Sequence, residues 1–134
     1  MVTKSDFQKI VKEFNLVISE KHNIIEENDT TYAKLPGVTG FLVAWDDVNK
    51  KTIIVAQSVE RQKENVFFYG ADGYDDYEEA RSKVEEMIKR AKEVQVEARI
   101  YKIETDFKWI KVWLFILTNT LLFLFLITKF NKLS

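Results

Sequence analysis

At 134 residues, 31% of them charged, the chain has room for one domain and an appendage. Lys108, Lys111, Lys129 and Lys132 are the only charged residues after Asp106, so residues 1–106 hold the other 16 of 20 Lys+Arg and all 21 Asp+Glu, a net −5. An acidic body lacks the clustered cations that displace counterions, which argues against a nucleic-acid partner, and zero cysteines exclude disulfides, thiolate zinc sites and cysteine nucleophiles.

The opening segment "MVTKSDFQKIVKEF" has no apolar stretch of the kind that marks a secretory signal, so residues 1–106 are expected to stay where they are made. Phe7, Ile10, Val11, Phe14 and Val17 or Ile18 recur with helical spacing, which predicts an amphipathic helix over Lys4 to Glu20 with Ser5 or Asp6 as N-cap. "EKHNIIEENDTTYAKLPGVTG" loses that period. Its Pro36, Gly37 and Gly40 mark a loop with at most one short extended piece.

From Gly40 the period shortens. "FLVAW" and "TIIVAQ", separated by the turn-forming "DDVNKK", predict a hairpin, and "VFFYG" after the turn "SVERQKEN" predicts a third antiparallel strand. "ADGYDDYEEA" then opens a second helix. Asp75 or Asp76 suits the N-cap, Glu78 and Glu79 stand at capping-box spacing, and Tyr77, Ala80, Val84, Met87 or Ile88, and Ala91 form the inward face. "VQVEARIYKI" alternates Val94, Val96, Ala98 and Ile100 against polar residues and reads as a returning strand, parallel to its neighbour. The expected body is an α+β, two-layer domain in the order α-β-β-β-α-β, a four-stranded mostly antiparallel sheet with two helices, over residues 1–106.

Residues 107–130 are of another kind. "VWLFILTNTLLFLFLIT", Val112 to Thr128, contains no charge, and twelve of its seventeen residues are Leu, Ile, Phe or Val. At about −0.3 to −0.6 kcal/mol each, those twelve favour insertion by roughly 4–7 kcal/mol. Extension from Trp109 to Phe130 gives 22 residues, enough to cross a bilayer core of about 30 Å at 1.5 Å per residue. Trp109 and Trp113 suit the interfacial belt, and Lys111 and Lys129 can snorkel to the headgroups. A soluble body of this size offers no enclosure for a helix apolar on every face. The expectation is a single C-terminal transmembrane helix, a short tail at 131–134, and a tail-anchored topology with a cytoplasmic body in the cell membrane. Lys108 and Lys111 before the span balance Lys129 and Lys132 after it, so charge at its immediate ends does not orient it.

Chemistry-bearing residues are sparse. His22 stands alone; a metal site would have to recruit Glu26, Glu27 or Asp29, without a second histidine at ligand spacing. The carboxylates of Asp72, Asp75, Asp76, Glu78 and Glu79 do not follow the calcium-loop order and are better explained by helix capping. Ser58 and Ser82 have no histidine at a motif distance, and "GVTG" and "GADG" are not phosphate loops. No catalytic, cofactor or metal residue is therefore assigned, and an interaction role is favoured over an enzyme.

Two surfaces are candidates. Asn119, flanked by Thr118 and Thr120, places an amide at mid-bilayer, where it either bonds its own helix or joins a neighbouring one in a homo-oligomer. Trp45, Phe67, Phe68 and Tyr69 cannot all face one core in alternating strands, so part of this set is expected on an open sheet face, as scattered exposed aromatics or as a surface for a protein partner. In composition the chain resembles the small Lys-, Glu- and Asn-rich α+β proteins of low-GC bacteria and their phages. Its expected role is a module at the bilayer that recruits or inhibits a protein; the alternative is a membrane-active effector, such as a holin regulator or viral membrane component, acting through an oligomerising span.

Overall fold

The computed structural model describes residues 1–20, 30–48 and 51–133. The elements are α1 (Lys4–Glu13), β1 (Val17–Glu20), β2 (Thr30–Lys34), β3 (Val43–Asp46), β4 (Ile53–Val55), β5 (Ser58–Gln62), β6 (Asn65–Tyr69), β7 (Asp72–Tyr74) and α2 (Tyr77–Leu133). The chain divides into two units, Met1–Ala98 and Arg99–Ser134.

The first unit is α+β, as expected, with a sheet built differently in detail. Five strands pair in the order β1-β2-β3-β4-β7, every neighbour antiparallel, and β5 and β6 form a separate two-stranded ribbon. The predicted hairpin is β3 and β4. "VFFYG" is a strand, β6, but its partner is β5, formed by residues expected to be a turn.

Helix α1 starts at Lys4, as predicted, but its cap is not Ser5 or Asp6. Thr3 is the N-cap: the Asp6 backbone N–H donates to Thr3 Oγ1 at 3.3 Å, and the Thr3 N–H donates to Asp6 Oδ2 at 3.0 Å. Asp6 thus closes a capping box rather than forming the cap itself. The helix also stops sooner. Asn15 takes φ +52°, its N–H donates to Lys12 O, and the Leu16 N–H donates back to Val11 O at 2.9 Å. This is a Schellman closure, satisfying the last carbonyls with an Asn in the left-handed position. Val17 and Ile18 consequently leave the helix face and enter β1, where both are exposed.

The turn at Leu35–Val38 has Pro36 and Gly37 at its centre, Gly37 at φ +83°, and is closed by Val38 N–H to Leu35 O at 3.2 Å. Those features define a type II turn. At Gly40 (φ +88°) an added Cβ would stand 3.0 Å from Phe68 O, because Thr39 exchanges backbone hydrogen bonds with Val66 and Phe68 and draws the ribbon against this segment.

The core gathers Ala33, Val43, Trp45, Ile53 and Val55 from alternating positions of β2, β3 and β4. Phe7, Ile10 and Val11 enter it from α1, and Ala80, Val84, Met87 and Ala91 from α2. The latter four belong to the inward face predicted for the second helix and are each fully buried, while Tyr77, predicted with them, is half-buried. Asp76 sits at the cap, its carbonyl accepting the Ala80 N–H at 3.1 Å, with Glu78 and Glu79 in the first turn.

Residues 94–103 do not form the predicted returning strand. They are helical, a continuous part of α2, so the sheet contains no parallel crossover strand. No Gly or Pro occurs after Gly73, and without a breaker the helix has no reason to end at Ala91. The fifth strand comes instead from Asp72–Tyr74, expected to belong to the helix entrance; Gly73 lies opposite Ile54.

Candidate functional site: an apolar helix and the polar features of the body

The second unit is helical from Arg99 to Leu133. Its sequence includes an 18-residue window of mean hydropathy 2.2, none of it buried, long and apolar enough to cross a membrane. Trp109 and Trp113, both exposed, lie one turn apart near one end of the uncharged stretch, and Lys129 follows Thr128 at the other. Lys111 Nζ stands 4.9 Å from the centre of the Phe107 ring. That cation–π contact lays the lysine stem along the helix, away from the centre of the span.

Polar groups inside this apolar stretch are mostly satisfied locally. Thr118 Oγ1 donates to Leu114 O and Thr120 Oγ1 to Ile116 O, each at 2.8 Å, and Thr128 Oγ1 donates to Leu124 O at 2.9 Å. Such bonds to the carbonyl one turn back are the usual way a hydroxyl is carried in an apolar helix. Asn119 makes no side-chain hydrogen bond among the described residues. The three polar residues of "TNT" therefore differ: the threonines are closed on their own helix and the amide is open.

The aromatic quartet does not form one surface. Trp45 is 2% exposed and Phe68 is also buried, so both belong to the core and are removed from the expected partner face. Phe67 and Tyr69 point the other way from β6, with ring centres 6.1 Å apart, and Tyr69 Oη donates to Glu60 Oε1 at 2.8 Å. Alternation along β6 explains the division: Val66 and Phe68 face inward, while Phe67 and Tyr69 are their outward neighbours. The exposed apolar side chains at Val17, Ile18 and Val48 escaped sequence reasoning; the Schellman signal at Asn15 could have revealed the first two.

Burial leaves one indole without a partner. Trp45 Nε1 has no hydrogen bond, and Trp45 contributes to a cavity of about 370 Å³ with Met1, Val2, Thr3, Lys4 and Asp47. Lys4 Nζ and Asp47 Oδ1 pair at 3.0 Å across it, and Thr31 Oγ1 donates to Asp47 Oδ2 at 3.2 Å.

A second groove, of about 400 Å³, is lined by Tyr74, Glu78, Glu79, Ser82, Lys83 and Glu86. Burial pushes the Tyr74 phenol up from its ordinary pKa, and the carboxylates of Asp72, Glu86 and Glu79 push the same way. Ser82 lies here with no histidine among the described lining residues, and the predicted acidic cluster is spread over β7, the cap and the first turn of α2. Among the described residues no three His, Asp or Glu side chains are grouped to hold a metal. His22, Glu26, Glu27 and Asp29 lie outside the described residues.

One ion pair ties α1 to α2. Arg81 Nε donates to both Glu13 carboxylate oxygens at 3.0 Å. The hydrogen bond from Arg81, with its charge, holds the Glu13 carboxyl below the usual carboxylate range, and the same bond raises Arg81. Arg81 also lies 5.7 Å from the centre of the Phe14 ring, a cation–π contact beside the ion pair. No protein-family model, no curated protein and no solved structure matches the chain.

Proposed function

We propose that the chain is a single-pass membrane protein that holds its α+β unit at the cytoplasmic surface of the cell membrane, where the unit recruits or inhibits a protein partner. The observation that carries this reading is the apolar window in α2, mean hydropathy 2.2 with none of it buried. Leaving such a helix in water would expose a continuous apolar surface far beyond what soluble monomers carry. The absence of cysteine fits a reducing compartment.

The partner surface supported best is the outward face of the ribbon at Phe67 and Tyr69, with the exposed edge strand at Val17 and Ile18 as the other apolar feature. The bilayer and one protein are thus the partners proposed. The effector reading, a span that itself oligomerises, draws support from the open amide of Asn119 between two closed threonines.

Protease digestion of sealed vesicles tests the main reading. In inside-out vesicles the α+β unit should be degraded, and in right-side-out vesicles protected; the reverse pattern overturns the topology. Affinity capture from detergent-solubilised membranes should recover a protein that Phe67→Ser with Tyr69→Ser releases. Capture that ignores both substitutions removes this face from the proposal.

A further inference from the structure

Before the span, the second unit carries its three isoleucines and Phe107 on one stripe, with Trp109 off it. Ile100, Ile103, Phe107 and Ile110 are all exposed, Ile103 at 67%. Between them stand Tyr101, Lys102, Glu104, Thr105, Asp106, Lys108 and Trp109, among which every charge of this stretch lies off the stripe. The intervals are three, four and three residues. Leu114, Leu117, Leu121 and Leu124 continue the same alternation through the span, and Val96 precedes it by four. This is a heptad repeat, with Ile100, Phe107, Leu114 and Leu121 at a and the others at d. Inside the span every face is apolar and the spacing discriminates nothing, so the charged stretch from Arg99 to Lys111 carries the argument.

We propose that this stripe is the seam of a homodimeric coiled coil, whose occupant is a second copy of the chain. Charge complementarity selects that occupant. The positions flanking the seam are Arg99 and Asp106 at g, and Glu104 and Lys111 at e. In a parallel pair each g residue meets the e residue of the following heptad across the seam. Arg99 then meets Glu104 of the second copy, and Asp106 meets its Lys111, each pair opposite in sign. Among the described residues Arg99, Glu104 and Asp106 make no ion pair within their own chain, and Lys111 contacts only the Phe107 ring. The parallel orientation rests on the membrane reading, since copies inserted with one topology run the same way. Two heptads alone would be marginal in water; confinement to one bilayer raises their effective concentration, and the leucines of the span extend the seam.

Asn119 falls at f, on the side away from the seam. The seam and the Asn119 face are therefore alternative contacts, and cross-linking separates them. The chain has no cysteine, so single substitutions in the full chain report cleanly in native membranes. Under mild oxidation Ile103→Cys, or Ile110→Cys should the first fail to fold, should give about tenfold more disulfide-linked dimer than Thr105→Cys at f. Adding Arg99→Glu to Ile103→Cys should lower the yield about two- to threefold, and Glu104→Arg in that background should restore it. Equal yields at 103 and 105, or dimers through Asn119→Cys but not through Ile103→Cys or Ile110→Cys, would overturn the seam. Carbonate extraction of the same membranes distinguishes the two readings: protein that leaves the pellet with its Ile103→Cys cross-link intact defeats the anchor and leaves the dimer standing.

Discussion

Helix α2 carries two kinds of apolar residue, and the two units of the chain differ in how they use them. Between Tyr77 and Ala98 the apolar residues recur with a helical period, Ala80, Val84, Met87 and Ala91 are fully buried, and the other faces are mostly polar, with Val96 exposed. From Val112 to Thr128 the helix is apolar on all sides, and its large hydrophobic residues are all exposed. The first pattern is satisfied by one covering layer, the sheet. The second has no covering layer in the structure and is long and apolar enough to cross a membrane. What separates the core part of α2 from its apolar end is that the apolar end has no polar stripe.

That contrast breaks first at the span. Leu121→Arg with Leu124→Arg places two guanidiniums near the middle, at about +2.5 to +3.5 kcal/mol each, enough to offset the roughly 4–7 kcal/mol favouring insertion. The double variant should move from the carbonate-resistant pellet to the supernatant. A pellet fraction equal to that of the parent chain would mean that membrane insertion is not what this apolar surface serves.

The converse test leaves the anchor intact and empties the core. Phe7 is fully buried between α1 and the sheet, and Phe7→Ala should cost about 3–5 kcal/mol, a large part of the stability of a unit this size. The α+β unit should become protease-sensitive in detergent micelles while the protein remains in the carbonate pellet. Trp45→Phe sharpens the same point, since it removes an indole N–H that has no partner along with part of the ring. Its cost should be well below that of Phe7→Ala, because loss of an unsatisfied donor offsets some of the lost packing. Equal losses would mean that Trp45 Nε1 is hydrogen-bonded in solution.

The same distinction between one face and all faces decides what was legible in the sequence. Ala80, Val84, Met87 and Ala91 were readable because period, cap and charge agree over several turns. A helix long and apolar enough to cross a membrane was readable at 112–128 because nothing interrupts it. The misreadings fall where two periods overlap. Val94, Val96, Ala98 and Ile100 satisfy a strand alternation, and Val96, Ile100 and Ile103 equally satisfy a helix; only the lack of Gly or Pro after Gly73 decides between them. Val17 and Ile18 continue the spacing of α1, but Asn15 ends that helix by a local hydrogen-bond closure to which hydrophobic spacing is blind. For the candidate surface, alternation correctly required that the aromatics of β6 divide between two faces. It did not identify the inward members, because that depends on the pairing of β6 with β5 instead of β4.

The smallest expected effect concerns how α1 is fastened to the first turns of α2. Arg81 lowers the Glu13 pKa in the folded chain, so the pair contributes stability above the ordinary carboxylate pKa. As pH falls through the lowered folded value, Glu13 takes up a proton and that contribution disappears. Both side chains reach solvent, which screens the pair and keeps its effect modest. Hydrogen exchange at the α1 amides should therefore be slower in the parent chain than in Glu13→Gln at neutral pH, and the difference should close on acidification. Arg81→Lys should recover only part of it, since a lysine cannot present two parallel N–H groups to the carboxylate. A difference that persists below the lowered carboxylate pKa would show that Glu13 holds α1 through its packing and not its charge. The fastening would then belong to the same shape-dependent core as Phe7, and electrostatics would play no part in holding the two helices together.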